Sequence, residues 1–574
     1  MTLRHMRKLL VRGLVIGTAA IVGCGGAENS GGPVTSAGGS EQGGSAQTGG
    51  ASSIASSAGG SSALADTGGK AATGGSSALP GSGGSLPGTG GMPATGGSRA
   101  AGGSPQTGGV APTGGSRAAA GGPQTGGVAP TGGSRAAGGV SAATGGRSAA
   151  VGGGSASTGG TTYTGTSACG AGTSTSSDIV VNLGSPQQKI TGFGVSSAWA
   201  GSYRNASDAD YLWSTTKGAG LTLLRIRYGD GLTIAKSAAS MGATVWMTPW
   251  GTGTNGATGG SYTTTQTNPN GCTGSMPVLS DAAGLASALA TWVSNAKTQG
   301  VPIYAVSAEN EPDSCGINST TSYSAAQLAT WIPTLSAALK PLNIKLMAPE
   351  TMNRCGFDTY YTAIKNSTAA WDAVDIFASH EYGCGTLTTD ASIAAAGKEY
   401  WETEVDTGKG SGDSTGDGIS SALLMATTMH NDLTKPNVNA WHLWWLYNAS
   451  GNGGELYDTT TNAWTKRLWV LGNYSRYVRP GYKRVATSGT QPTGVYISAY
   501  TNPADGTVSI VAINTGTSAA SVSLFITGAA PCSMTPYVTS GTDNLAAQTA
   551  IPVSGSKFTA SLASQSVTTF VGKP

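Results

Sequence analysis

Short apolar runs recur along the chain from Asp178 onward, and each is followed by a polar loop and then a helix-like stretch. Beta-branched and aromatic residues are frequent in these runs, which favours strands. The runs lie at Gln188–Gly194, Leu221–Tyr228, Ala243–Trp250, Val301–Glu311, Ile344–Glu350, Asp375–Tyr382, Glu399–Val405 and Asn439–Tyr447. Helical spacing of apolar residues appears between them at Ala282–Gln299, Ser324–Leu339 and Ser420–Asp432. Strand and helix alternating eight times predict an α/β fold, a (β/α)8 TIM barrel over 178–480.

Polar and aromatic side chains collect at the carboxyl ends of these predicted strands. They are Trp250, Glu311, Glu350, His380, Tyr382, Glu404 and Trp444. The parallel strands of a barrel bring their carboxyl ends to one face, and barrel enzymes carry their active sites on that face. The pattern therefore predicts a functional site at the top of the barrel.

The alternation stops after about Arg479, where short β-type runs separated by turn residues replace it. These runs lie at Val495–Tyr500, Thr507–Asn514, Ser521–Thr527, Met534–Thr539 and Ser566–Val571. They predict a small antiparallel β-sandwich over 481–574. Asp178–Leu183 is a further candidate strand, which could join the sandwich from the other end of the chain.

The N-terminal part has a different composition. Basic residues followed by the apolar run Leu14–Val22 predict a lipoprotein-type signal peptide over 1–24, with Cys24 as the lipidated residue. An ordinary signal peptide is the alternative. Residues 25–177 are rich in Gly, Ser, Ala and Thr, and they repeat the segment PQTGGVAPTGGSRAA. This composition predicts a long disordered linker, because too little apolar surface is present to offset the entropy of ordering. A fibrous repeat structure is the alternative, but collagen's strict glycine period is absent.

The charge and histidine content exclude some classes of partner. A formal net charge of +3 over 574 residues is too small to indicate nucleic-acid binding. The chain has four histidines and no CxxC motif, so we predict no metal site and no other cofactor.

Cysteines point to export and disulfides. Setting Cys24 aside leaves an even number, which in an exported protein predicts disulfide bonds. Six cysteines allow about fifteen pairings, so the pairing stays open. Cys272 and Cys315 would follow strands three and four, Cys355 and Cys384 would follow strands five and six, and Cys169 and Cys532 remain to tie the start of the domain to the sandwich.

Carboxylates facing each other across a barrel mouth are the minimal equipment for hydrolysing a glycosidic bond. Glu311 is the first candidate; Glu309 shares its strand parity but lies farther from the carboxyl end. The seventh strand offers Glu402 and Glu404, which also share parity, and position again favours Glu404. For any of these acids taken singly, a salt bridge at the barrel rim is the alternative.

The chain from about Asp178 to Val571 resembles glycoside hydrolase family 30, a clan A family, and is most similar to its bacterial endo-xylanase branch. The matching stretches follow the family order throughout. They are GFGVSSAW at Gly192–Trp199, LLRIR at Leu223–Arg227, TPW at Thr248–Trp250, ENEPD at Glu309–Asp313, APE at Ala348–Glu350, HEYG at His380–Gly383, WETEV at Trp401–Val405, WW at Trp444–Trp445, YVRPGYKRV at Tyr477–Val485 and SQSVTTFV at Ser564–Val571.

The resemblance implies a retaining mechanism, with Glu311 as acid/base and Glu404 as nucleophile. Retention requires the two carboxyl groups to lie about 5–5.5 Å apart. It further implies that Asn310 contacts the sugar 2-hydroxyl, that Tyr382 donates a hydrogen bond to the nucleophile, and that Arg225 supports the nucleophile's carboxylate. His380 is placed among the substrate-binding residues, and Trp199, Trp250 and Trp444 would stack on sugar rings. A plain core role is the alternative for each tryptophan.

One departure from the family concerns the substrate. Glucuronoxylan-specific members follow the strand-eight tryptophans with an arginine that binds glucuronate. Here Trp445 is followed by Leu446, and no Arg or Lys occurs before Lys466. We therefore expect an enzyme that cuts internal β-1,4 bonds of xylan without requiring glucuronate.

Two other functions stay open on sequence grounds. One is cleavage of another β-glycan, such as a β-1,6-glucan or β-1,6-galactan, by a member of the same family. The other is a non-catalytic carbohydrate-binding surface lipoprotein, which the presence of both carboxylates disfavours. We expect plant cell-wall xylan as the partner and a monomeric protein. We also expect it at the cell surface or outer membrane, held only by the lipid anchor, or secreted.

Overall fold

A computed structural model describes residues 169–250, 262–267, 270, 275–314, 321–383, 391–449 and 454–574. The predicted signal peptide, Cys24 and the linker up to residue 168 lie outside the described residues, as do Cys272, Cys315 and Cys384. No helix within the described ranges is long and apolar enough to cross a membrane.

The strands up to the end of the barrel are β1 Ile179–Lys189, β2 Gly192–Ser196, β3 Leu223–Arg227, β4 Thr244–Thr248, β5 Thr263–Thr267, β6 Ser275–Leu279, β7 Ile303–Ser307, β8 Lys345–Thr351, β9 Ile376–Ser379, β10 Glu399–Glu402, β11 Ala440–Asn448, β12 Glu455–Asp458 and β13 Ala463–Trp464. The strands that follow are β14 Lys483–Ser488, β15 Val495–Thr501, β16 Val508–Asn514, β17 Ala520–Thr527, β18 Ser533–Thr539, β19 Ala546–Ala547, β20 Ile551–Pro552, β21 Lys557–Leu562 and β22 Ser566–Gly572.

The helices are α1 Asp208–Trp213, α2 Leu232–Ser240, α3 Ala282–Thr298, α4 Ala325–Leu339, α5 Arg354–Asn366, α6 Thr368–Ala373, α7 Ala391–Ala395, α8 Ile419–Thr434 and α9 Lys466–Ser475, with a 3-10 turn at Lys340–Leu342. Helix α4 begins with a capping box in which the Ser324 side chain and Gln327 satisfy each other's backbone N–H groups.

Parallel pairing closes a barrel of eight strands in the order β2-β3-β4-β7-β8-β9-β10-β11, with β11 returning to β2. The predicted (β/α)8 barrel is confirmed. The first predicted strand, Gln188–Gly194, divides between two sheets, because β1 ends at Lys189 and β2 begins at Gly192. Gly194 allows β2 to approach its neighbours: a Cβ there would lie 2.5 Å from the Leu223 carbonyl oxygen.

The barrel interior holds a small apolar layer below the polar strand ends. Its members are Leu223, Trp246, Ala305, Met347, Ile376, Ala378, Trp401 and Ala440. A larger apolar layer lies between the barrel and the surrounding helices. Because the interior layer fills the barrel from below, polar side chains at the strand ends face the open top.

A second sheet, separate from the barrel and curled on itself, forms the predicted β-rich part. Its order is β19-β18-β22-β16-β15-β14-β1-β17-β21. Strand β1 pairs antiparallel with β14 and parallel with β17, so the segment before the barrel belongs to this sheet. Helix α9 is hydrogen-bonded to the curled sheet, since Asn473 Nδ2 donates to the carbonyl oxygen of Tyr537 in β18 at 3.0 Å.

The Cys169–Cys532 disulfide joins the start of the described chain to the curled sheet, as predicted. Cys355 is also disulfide-bonded. The prediction that Cys272 and Cys315 lie on neighbouring loops stays a prediction, since both fall outside the described residues.

Candidate active site

The predicted catalytic acids come from two nearly opposite strand ends. Glu311 follows β7 and Glu404 follows β10, and each is almost fully buried. One ligand atom each from Glu311, His380 and Glu404 all lie within 4.8 Å of one another. This spacing is compatible with the short carboxyl separation of retaining glycosidases, whereas inverting enzymes keep their carboxyl groups about 6.5–9.5 Å apart.

Arg225, near the end of β3, binds four side chains at the centre of the barrel mouth. Its Nη1 donates to Glu404 Oε2. Its Nη2 lies 2.7 Å from Asn310 Oδ1 and 2.6 Å from Glu350 Oε1. Its Nε donates to Thr248 Oγ1 at 3.2 Å. The planar guanidinium group therefore fixes the nucleophile candidate and Asn310 relative to each other.

Tyr382 provides the second hydrogen bond to Glu404. Its hydroxyl donates to Glu404 Oε1 at 2.9 Å, while Arg225 occupies Oε2. Burial raises the pKa of Glu404, and the positive charges of His380 and Arg225 offset part of that rise. Donors on both carboxylate oxygens hold the side chain in one orientation and stabilise its ionised form.

His380 connects the two predicted catalytic acids. Its Nδ1 lies 3.2 Å from Glu311 Oε1, and its Nε2 lies 3.4 Å from Glu350 Oε1 and 3.7 Å from Glu404 Oε2. Burial alone would lower the pKa of His380. The charge of Glu404 and the hydrogen bonds to Glu311 and Glu350 outweigh burial and raise the pKa of His380 to about 10. At neutral pH the ring is therefore an imidazolium that donates from both nitrogens.

Glu350 is the residue of this layer to which the sequence assigned no role. It is fully buried. Burial opposes its ionisation, but Arg225 and then His380 lower its pKa below the ordinary value. Its backbone carbonyl accepts the Glu311 N–H at 3.0 Å. Both Glu311 and Glu350 adopt left-handed backbone conformations, with φ of 48° and 57°, a strained geometry that occurs often at functional sites.

We call Arg225, Glu311, Glu350, His380 and Glu404 the inner network. Two cations face three carboxylates, so a single proton on one carboxyl group makes the network electrically neutral. The close spacing would also admit a metal ion. We assign none there, because Arg225 and His380 already supply the balancing positive charge.

The tryptophans form a cluster around Trp199, whose side chain is 39% exposed. Its ring centroid lies 5.4 Å from that of Trp250, 6.0 Å from Trp444 and 5.8 Å from Trp445. Trp250 is only 3% exposed, and the Arg225 guanidinium carbon lies 4.1 Å from its ring centroid. Trp199 is thus the open face of the cluster, whereas Trp250 covers the inner network.

Sequence reasoning missed a second charged cluster, which lies between the barrel and its helices. Arg354 Nη2 binds Asp432 on α8 and lies 3.2 Å from Glu381 Oε2. Trp401 lies inside the barrel, so strand alternation turns Glu402 outward toward Asp432. We call Arg354, Glu381, Glu402 and Asp432 the outer network. The shared parity expected for Glu402 and Glu404 fails, because the regular strand β10 ends at Glu402.

A (β/α)8 barrel with two close carboxylates at its mouth defines the class of the protein: it is a glycoside hydrolase. No family model matches the chain. Similarity to known proteins is nevertheless extensive. Glucuronoxylanase XynC of Bacillus subtilis (strain 168) is 29% identical over 413 residues, which cover 69% of this chain and 92% of that protein.

Two solved structures are closer in sequence. The GH30 endoxylanase of Clostridium papyrosolvens C71 is 31% identical with a TM-score of 0.60, covering 69% of this chain and all of the other. Xyn30A of Clostridium acetobutylicum, a family 30 subfamily 8 xylanase, is 30% identical with a TM-score of 0.61, covering 70% of this chain and all of the other. The chain belongs to glycoside hydrolase family 30.

Proposed function

We propose that this protein is a retaining endo-β-1,4-xylanase in which Glu311 is the acid/base and Glu404 the nucleophile. The observation that carries the proposal is the short distance between these two carboxyl groups across the barrel mouth, with ligand atoms within 4.8 Å. The xylanase activity named for the relatives described above supports xylan as the substrate.

In the first step, Glu404 attacks the anomeric carbon while Glu311 gives its proton to the departing glycosidic oxygen. The bond from Glu404 to the sugar forms as the glycosidic bond breaks. In the second step, Glu311 removes a proton from water, which displaces Glu404 and restores the starting configuration. The inner network stays neutral throughout, because the Glu404 carboxylate becomes an ester as Glu311 becomes a carboxylate.

The surrounding residues receive proposed roles from their contacts. Asn310 is held by Arg225 and would bind the 2-hydroxyl of the sugar next to the scissile bond. Tyr382 would steady Glu404, and His380, which is fully buried, would orient Glu311 rather than bind the substrate directly. Trp199 would stack on a sugar ring, with Trp250 and Trp444 as its neighbours.

We propose that glucuronate side groups are not required. The segment after Trp445 carries no Arg or Lys before Lys466. Its buried charged residues are instead Glu455 and Asp458. Burial raises the pKa of Glu455 to about 7, and Arg467, 3.6 Å away, lowers it in part. Because both carboxyl groups are fully buried, the proposal is supported by the absence of a basic residue from Leu446 to Thr465 in the sequence.

A substrate panel tests the activity. Purified protein is incubated with unsubstituted xylan, glucuronoxylan, β-1,6-glucan and β-1,6-galactan, and released oligosaccharides are separated by length. We expect similar release from both xylans, with internal cleavage. Products spaced by glucuronate would contradict glucuronate independence, release from a β-1,6-glycan alone would change the substrate, and binding without release would indicate a non-catalytic protein.

Azide rescue assigns the two acids. With an aryl β-xylobioside, Glu404→Gly should be inactive until azide takes the nucleophile's place, giving the α-glycosyl azide. Glu311→Ala should give the β-glycosyl azide, because azide then attacks the glycosyl-enzyme. The opposite stereochemistry for the two variants would reverse the assignment.

We also propose that the protein is exported and held at the cell surface by a lipid on Cys24, on the sequence pattern of residues 1–24. Incorporation of labelled palmitate into the protein, lost in Cys24→Ser, would support the anchor. An unlabelled protein that leaves the cell would favour the ordinary signal peptide.

A further inference from the structure

The pairing between the seventh and eighth barrel strands is interrupted immediately before Glu404. Strand β10 pairs with β11 at Trp401↔Ala440, and the next bridge is Val405↔Leu443. The chain advances four residues on one side, from 401 to 405, and three on the other, from 440 to 443. One extra residue therefore bulges from the seventh strand, and regular ladder hydrogen bonds are lost at this point.

The Glu402 carboxyl group occupies this gap. Its Oε1 accepts the Glu404 N–H at 2.8 Å, and its Oε2 accepts the His442 N–H at 3.0 Å. The side chain is fully buried at 0% exposure, so it has no route to substrate. The Glu402 side chain thus accepts the backbone N–H of the nucleophile residue itself, in place of a carbonyl oxygen from the neighbouring strand.

Three further contacts fix the same segment. The Glu381 N–H donates to the Glu404 carbonyl oxygen at 3.0 Å. His442 Nδ1 lies 3.0 Å from the Glu402 carbonyl oxygen, and Trp246 Nε1 donates to His442 Nε2 at 3.0 Å. The backbone of Glu404 is therefore held on both sides, and Glu402 provides the contact on its N–H side.

We propose that Glu402 is a positioning residue that sets the nucleophile Glu404 through its backbone N–H; this inference rests on the function proposed above. The bulge turns the Glu404 side chain into the barrel mouth, and the Glu402 carboxyl group keeps the bulge in that one conformation. A nucleophile displaced by about 1 Å loses about 100-fold in rate.

The chemistry of the gap explains why the residue is a glutamate. Burial and the charge of Asp432 raise the pKa of Glu402 to about 8. A carboxylate accepts two N–H groups, and so does the protonated acid, whose hydroxyl oxygen keeps its lone pairs. A glutamine places an N–H₂ group against one of the two backbone N–H groups, because an amide nitrogen cannot accept.

The test compares Glu402→Gln in two backgrounds. In the otherwise unchanged enzyme, kcat on an aryl β-xylobioside should fall about 100-fold while KM changes less than about twofold. In Glu404→Gly, azide replaces the nucleophile and needs no positioned side chain. The azide-rescued rate should therefore be the same within about twofold with and without Glu402→Gln.

Glu399→Gln is the matched control, since it is the same change at the other end of β10. Glu399 accepts from Thr191 Oγ1 at 2.6 Å and Trp401 Nε1 at 2.8 Å. We expect it to alter both backgrounds equally. If Glu402→Gln does not fold, Glu402→Asp replaces it: the shorter acid cannot span both N–H groups, and its loss should again appear only when Glu404 is present.

The outcomes separate the two proposals. If Glu402→Gln lowers kcat and the azide-rescued rate equally, Glu402 supports the fold without positioning the nucleophile, and this inference is overturned. Failure of azide to rescue Glu404→Gly would instead overturn the assignment of Glu404 as nucleophile.

Discussion

The inner and outer networks both combine basic and acidic side chains, but they lie on opposite sides of the barrel wall. Each centres on a buried arginine with carboxylate partners. All three guanidinium nitrogens of Arg225 have partners: Thr248, Asn310 and two carboxylates. Arg354 uses Nη2 alone, and its Nε and Nη1 make no hydrogen bond to any described residue. Every guanidinium nitrogen is therefore hydrogen-bonded in Arg225, the arginine that lies beside the predicted nucleophile Glu404 and orients it.

A second difference is the histidine. The inner network contains His380, whose added positive charge lets three carboxylates lie within reach of one another. The outer network has no such cation, and burial together with Asp432 raises the pKa of Glu381 to about 10. The two networks thus differ in their ionisation: the pKa of Glu350 is lowered in the inner network, whereas the pKa values of Glu381 and Glu402 are raised in the outer network. The outer network therefore serves the fold, and its described contacts with the site are to the backbone of Glu404: Glu402 accepts the Glu404 N–H, and the Glu381 N–H donates to the Glu404 carbonyl oxygen.

Removing the outer arginine should have the largest effect on stability. Arg354→Met leaves Asp432 buried without its cation, so the free energy of unfolding should fall by about 3–5 kcal/mol. Urea unfolding measures this loss. The kcat of the molecules that remain folded should stay within about tenfold of the unchanged enzyme. A kcat that falls as steeply as in an inner-network variant would break the distinction between the networks.

Replacing Arg225, the arginine of the inner network, should lower activity more than stability. Arg225→Lys keeps a positive charge, but one ammonium group cannot reach Thr248, Asn310 and Glu404 together. We expect kcat to fall about 100- to 1000-fold, as when a preorganised donor is removed. Steady-state kinetics on xylobiosides measure it. A variant that unfolds readily but turns over normally would contradict the role of Arg225.

The inner network was accessible to sequence reasoning because one rule located it. Strand ends on one barrel face converge, so Glu311, His380 and Glu404 could be placed together before their contacts were known, whereas the role of Arg225 was implied by the family resemblance. The rule also marked Glu350, but no pattern gave it a partner. Its role depends on two side chains from other strands.

The contacts of the outer network could not be predicted from the sequence, and the reason is physical. Arg354 opens a helix and Asp432 lies near the end of another, 78 positions away, so no local periodicity links them. Glu402 was assigned the parity of Glu404, and the bulge between them reverses it. The parallel entry of β1 beside β17 was likewise hidden, since a lone strand pattern does not specify its direction of pairing.

Two buried histidines, His380 and His442, should make different contributions to the pH dependence of stability. The pKa of His380 is raised to about 10, so its stabilising charge is fully present below about pH 6.5 and is lost as pH rises toward 10. The pKa of His442 is lowered to about 3 by burial, so this ring stays neutral across that range. We expect the stability gap between the unchanged protein and His380→Asn to shrink by about 3–4 kcal/mol from pH 7 to pH 10.

His442→Asn is the control for this measurement, made by urea unfolding at each pH. Its stability gap should change by no more than about 0.2 kcal/mol from pH 7 to pH 10, because the pKa of His442 is about 3 in the folded protein and about 6.5 in the unfolded chain. A gap that is constant for His380→Asn as well would mean that His380 is neutral at pH 7. The charge balance of the inner network would then be wrong.

The smallest expected effects come from one tryptophan at each network. Trp199 is the exposed ring above the inner network, so Trp199→Ala should raise KM for xylo-oligosaccharides about tenfold through lost stacking, with little change in the free energy of unfolding.

Trp441 donates from Nε1 to Asp432 Oδ2 at 2.9 Å in the outer network. Trp441→Phe should therefore lower the free energy of unfolding by about 1 kcal/mol and leave KM unchanged. A KM effect from Trp441→Phe would mean that substrate binding extends through the barrel wall.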